Sequence, residues 1–184
     1  MKLLALAALS LVVSTSAFAQ GRYRTPAAAS YTNEITTLAT GGLFYSGKQC
    51  KDCSSGSNME VGVGYLHTLD SKIQVGGEGR LRILSKEVSG TGDSETLFDI
   101  AGVGAWNFSS DFSNAIFAKA GIGLYAVPKD NLSGYENKIG FFIGAGKRFT
   151  WLSNVAYSPE VRLVKKGDID MGIEVQLINF SITW

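Results

Sequence analysis

The sequence predicts an all-β protein, an eight-stranded antiparallel up-and-down barrel that crosses a membrane. Three observations carry that prediction: side chains alternating apolar and polar with period 2, links alternating long and short, and tryptophans gathered at one end of the strands.

The N-terminus sets the compartment. Lys2 precedes the apolar run Leu3 to Val13, and small residues lead to Ala17-Phe18-Ala19, the anatomy of a cleavable secretory leader over residues 1–19. Gln20 rather than Cys follows the expected cut, which argues against a lipoprotein anchor. Residues 20–31 then read as a short periplasmic segment and 32–184 as the barrel.

Composition excludes several classes. The net charge of +1, without a basic stripe, gives no electrostatic reason to expect nucleic acid. Beyond the leader there is no run of about 18 apolar residues, so a membrane crossing would need closed strands.

The clearest strand is Lys72 to Ile83, where Ile73, Val75, Gly77, Gly79, Leu81 and Ile83 share one face and Lys72, Gln74, Gly76, Glu78, Arg80 and Arg82 the other. Met59 to His67, Asn114 to Val127 and Lys138 to Trp151 repeat the pattern. Weaker alternation covers Thr32 to Tyr45, Thr96 to Phe108, Val155 to Val164 and Met171 to Trp184, which brings the strand number to the even value that closed barrels favour.

Links after the second, fourth and sixth strands are brief (Leu69 to Ser71, Ser109 to Ser113, Leu152-Ser153). Those after the first, third and fifth are longer and polar (Ser46 to Asn58, Ser85 to Glu95, Pro128 to Glu136), and a shorter polar one surrounds Lys165 to Asp170. Trp106, Trp151 and Trp184 all end even-numbered strands and so mark one interfacial rim, with Tyr45, Phe98 and Tyr125 expected near the other. Pro159 removes a ladder donor inside the seventh strand and calls for a bulge. In the last strand Ile173, Val175 and Leu177 share one parity but Ile178, Phe180, Ile182 and Trp184 the other, which predicts a second bulge near Ile178 and Asn179.

The signal peptide, strand pattern, loop alternation and terminal Phe180-x-Ile182-x-Trp184 together resemble the small outer-membrane barrels of the OmpA/OmpX type. The resemblance implies an outer-membrane location among lipids and a monomeric barrel. It also implies that Phe180, Ile182 and Trp184 form the signal read by the barrel-assembly machinery.

Face assignment places Glu60, Glu78, Arg80, Arg82, Asp99, Lys119, Lys138, Arg148, Glu160, Arg162 and Glu174 in the interior. Eight strands leave a lumen that side chains can fill, so mutual ion pairing is the favoured reading and a narrow polar path or gate the sharper alternative.

Cys50 and Cys53 form a C-x-x-C in the first outside link. A disulfide tying off the loop tip is favoured by the oxidising route and the even count; a redox site would want a helix N-terminus, and a zinc site two more ligands. The only histidine, His67, gives little material for acyl-bond hydrolysis, and no cofactor, metal site or catalytic set is read from the chain. The glycine clusters lack the strand–loop–helix setting of a phosphate loop and suit close packing in a small, curved sheet. Two functional classes remain: a structural or surface-interaction barrel, and a small channel or carrier for solutes or hydrophobic compounds of the OmpW-like kind. The sequence names no extracellular ligand.

Overall fold

The computed structural model describes residues 32–40, 58–88, 91–112, 114–128, 134–168 and 171–184. The chain divides into two compact units, Met1–Ser30 and Tyr31–Trp184, and every described residue belongs to the second. The expected leader, the segment 20–31, Tyr45, Cys50 and Cys53 lie outside the described residues.

Eleven strands form one antiparallel sheet: β1 (Asn33–Thr40), β2 (Asn58–Thr68), β3 (Ile73–Val88), β4 (Thr91–Asn107), β5 (Ile116–Pro128), β6 (Tyr135–Lys147), β7 (Phe149–Leu152), β8 (Val155–Tyr157), β9 (Glu160–Lys166), β10 (Gly172–Gln176) and β11 (Phe180–Thr183). They lie side by side in the order β10-β9-β6-β5-β4-β3-β2-β1-β11-β8-β7. From β1 to β6 every strand pairs with its sequence neighbour, an up-and-down run in which short links suffice.

Burial follows the pleat. Along β6, Ile139, Phe141 and Ile143 face outward and are exposed, whereas Phe142 points inward and is buried. The inner face holds charges and a small apolar cluster of Leu66, Ala101, Val103, Ala105, Phe142 and Val164. Side chains of β3 reach those of β9 and β10 across this face, so the sheet curls around its own interior.

The structure has eleven strands where the sequence predicted eight, because three runs are interrupted. Arg148 separates β6 from β7, and its backbone N–H donates to Ala115 O at 2.9 Å instead of a strand partner. Ser158 and Pro159 separate β8 from β9; proline has no N–H to give, and pairing resumes around it through Ser158 N to Asn179 O (2.8 Å) and Lys147 N to Pro159 O (3.3 Å). Leu177 to Asn179 separate β10 from β11, and consecutive Leu177 and Ile178 are both exposed. The parity change in the sequence falls at that point: one extra residue lets both apolar sets face outward.

The link Ser85 to Glu95, expected as a long loop, is mostly strand. β3 and β4 stay paired to Val88↔Thr91, leaving only residues 89–90 between them. The polar residues there mark the end of apolar alternation, not the end of pairing. Alternation measures what a wall faces; the ladder needs only backbone.

At the junction of β1 and β11 the backbone register covers Glu34↔Thr183, Ile35↔Ile182 and Thr36↔Ser181, and Asn33 and Trp184 exchange backbone hydrogen bonds at 3.0 and 3.1 Å. Past Thr36, side chains take over. The Thr37 hydroxyl accepts from Phe180 N (3.0 Å) and donates to Phe180 O (3.3 Å), while Asn179 Oδ1 accepts from Ala39 N at 2.9 Å.

Candidate functional site

The interior carries the chemistry. Its inner face buries Glu34, Glu60, Glu78, Asp99, Glu160 and Glu174 together with Arg80, Arg82, Lys119, Arg148, Arg162 and Lys166: six acids and six bases among the described residues. Strand periodicity explains the arrangement, since each charge occupies the parity opposite to the exposed apolar residues of its own strand.

Near the short links, Arg148 donates from Nε and Nη2 to the two oxygens of Glu34 (2.8 and 2.7 Å), and from Nη1 to Asn107 Oδ1 at 2.5 Å. Gln74 Nε2 donates to Glu34 Oε2 at 2.9 Å while its Oε1 accepts from Asn107 Nδ2, also at 2.9 Å, so the carboxylate is held from two sides. The break after β6 is what lets Arg148 lie across this end. Its guanidinium rests 4.6 Å from the centre of the Phe117 ring.

In the middle layer Arg162 Nη1 and Nη2 meet Glu78 as a fork, at 2.7 and 2.8 Å, and Arg162 also pairs with Glu160. Lys119 bridges the same two carboxylates at 3.3 and 3.0 Å. Phe142 supports the fork, its ring centre 4.2 Å from the Arg162 guanidinium. Glycine makes room for that ring: a Cβ on Gly121 would sit 2.3 Å from it, and one on Gly146 would sit 2.5 Å from Phe117.

Arg80 joins this layer to the next, donating to Glu78 at 2.7 Å and to Glu174 at 3.1 Å, with Glu60 at 3.5 Å. Lys166 closes the outer layer between Glu60 and Glu174 at 2.8 and 2.9 Å. At the edge, Arg82 pairs with Asp99 at 3.1 Å, and the two side chains also hold the backbone of Ala126: Asp99 accepts from its N–H (2.8 Å) and Arg82 donates to its carbonyl (2.5 Å). β4 and β5 stop pairing at Ile100↔Leu124, so these side chains stand in for the missing ladder.

Ten of the eleven charges expected inside lie in this network. Lys138 does not: it is part exposed at the far end of β6 and pairs with Asp168 and Glu136. There the hydrogen bond from Lys138 holds the Asp168 carboxyl below its ordinary range. Two members were missed. Glu34 has the same parity as the buried Thr36 and Leu38, a signal weakened by the threonine-rich β1, and Lys166 falls in the expected outside link although it continues the alternation of Glu160, Arg162 and Val164.

Outside, Trp106, Trp151 and Trp184 are exposed, and Trp151 packs against Phe180 with ring centres 5.5 Å apart. Ile182 is exposed and Phe180 half-buried. Tyr125, expected at the outer rim, instead faces inward and is 3% exposed, its ring 5.7 Å from Lys166 Nζ. Outward residues of β5 have even numbers (Ile116, Ile122, Leu124), and Tyr125 falls on the odd face. His67 meets Asn33 Oδ1 at 3.1 Å.

No protein-family description and no curated protein sequence matches the chain. Among solved structures, the N-terminal β-barrel domain of Pseudomonas aeruginosa OprF aligns at 10% identity, covering 84% of this chain and 99% of that one, with a TM-score of 0.54. The Yersinia pestis outer membrane protein Ail, in a phospholipid bilayer nanodisc, aligns at 12% identity over 83% of this chain and 99% of its own, with a TM-score of 0.47. Identities this low speak to architecture alone, and in architecture the chain resembles the β-barrel domain of OprF.

Proposed function

We propose that the mature chain is an integral outer-membrane barrel with a structural or surface-interaction role, its lumen filled by paired charges. In this reading β6 with β7, β8 with β9 and β10 with β11 are halves of single strands. The eleven segments then make eight spans, and β1 closes the ring by meeting both β2 and β11. The observation that carries the proposal is the inversion of an ordinary soluble barrel. Twelve charges are buried inside, while Val63, Ile122, Ile139 and Ile143 are more than half exposed outside. Charges on that scale tolerate burial because they are hydrogen-bonded in equal numbers, and the apolar wall suits lipid.

A heat-modifiability gel on native membranes, with planar-bilayer recordings on the purified protein, tests this. A shifted band without conductance is expected. An unshifted band, with release by salt or carbonate, would defeat the barrel reading. Stable, ion-selective steps altered by Arg80→Ala would replace the structural role with the channel or carrier alternative.

A further inference from the structure

The outer wall carries a feature that a filled lumen does not use. A trough of about 690 Å³ runs over β4, β5 and β6, with β3 and β9 at its two sides. Its floor is small (Gly104, Ala118, Ala120, Ala145), and Trp106 and Leu163 stand among the larger side chains at its sides. A Cβ on Gly104 would meet nothing within 4 Å, so the floor is open outward.

Lys147 stands at one end of this trough. It lies on β6 two residues beyond Ala145, toward the short links, and pairs with Ile116 as Ala145 pairs with Ala118. Among the described residues no carboxylate pairs with it; its Nζ lies 4.9 Å from the centre of the Phe149 ring. An outward ammonium at the rim marked by Trp106 and Trp151 faces the depth of lipid phosphates, and the trough beside it has the shape and polarity for acyl chains.

We infer that the trough and Lys147 form a site for one anionic glycerophospholipid of the periplasmic leaflet, its phosphate on Lys147 and a chain over Gly104, Ala118 and Ala145. The inference rests on the outer-membrane reading above. It assigns to this stretch of wall a retained lipid instead of freely exchanging solvent lipid.

Substituting Trp151→Phe and Trp184→Phe leaves Trp106 as the sole tryptophan. The protein is refolded into phosphatidylcholine vesicles with rising fractions of dibrominated phosphatidylglycerol or dibrominated phosphatidylcholine. Trp106 fluorescence should reach half-quenching at an about fivefold lower fraction of the anionic lipid, the preference expected of one lysine at a charged lipid interface. Lys147→Gln should erase the difference, and Gly104→Leu should weaken quenching by both lipids at low fractions.

Superimposed curves, or a preference that survives Lys147→Gln, would overturn the site. Gly104→Leu converting sedimenting dimers to monomers would overturn it in favour of a second copy of the chain. If neither lipid quenched and the gel band were unshifted, the outer-membrane reading would have failed and the site with it. Normal heat shifts in both variants exclude misfolding as the cause of lost quenching.

Discussion

β2 to β6 and the region from β7 through β11 to β1 are walls of the same sheet built by different means. The first is continuous: β2 and β3 keep register from Asn58↔Leu84 to Thr68↔Gln74, and β5 and β6 from Ile116↔Lys147 to Pro128↔Tyr135. The second is broken three times, and its junction with β1 keeps a short backbone ladder from Asn33 to Thr36 before Thr37 and Asn179 take over. What differs is not the need for hydrogen bonds but their source, since each backbone group freed by a break must find a side chain or a displaced carbonyl. Each wall contributes six of the twelve buried charges, so the network ties the broken wall to the continuous one.

That comparison is broken most directly at Arg162, whose fork ties Glu78 of the continuous wall to Glu160 of the interrupted one. Arg162→Met should destabilise the protein by about 3–5 kcal/mol in urea unfolding from lipid vesicles, because buried Glu160 would keep Lys119 alone and Glu78 would keep only Lys119 and Arg80. A loss below about 1 kcal/mol, as for an exposed pair, would mean that water reaches the layer and the walls are not coupled through it.

The junction itself is sharpened by Asn179→Ala, which strips a partner from Ala39 N and from Gln176 Oε1. A loss of about 1–3 kcal/mol is expected for leaving buried groups unpaired. Amide exchange at Ala39 should accelerate while the amides of β5 stay protected; equal acceleration in both walls would show that they open as one unit.

The smallest effect belongs to Asp168, on the exposed turn after β9. Its lowered carboxyl contributes stability above the unfolded-state pKa, and that contribution disappears as pH falls through the lower folded value. Asp168→Asn should therefore match the parent in strongly acidic urea titrations and fall slightly below it near neutrality. A difference that grows on acidification would reverse the assignment.

Much of this architecture was legible because one face is apolar and exposed and the other carries buried charge, which leaves a strong period-2 signal in Ile73 to Arg82 and Ile116 to Leu124. Two interruptions were legible too, one through the chemistry of Pro159 and one through the parity change at Leu177-Ile178. The third was not: Lys147, Phe149 and Trp151 keep one parity through Arg148, so only the backbone records the break. The β3–β4 extension was hidden because alternation fades where neither face is apolar. Partner choice was equally hidden; parity says that Arg80 points inward, but only the curl of the sheet decides that it meets Glu174.

The long β3–β4 hairpin has a mechanical consequence. Past Leu84, the last residue of β3 in register with β2, four further pairs from Ser85↔Ser94 to Val88↔Thr91 carry the ribbon about 13 Å farther. A twisted ribbon resists bending better than single chain does, so a peptide inserted between Val88 and Thr91 would be carried on a paired base and not on a lone strand.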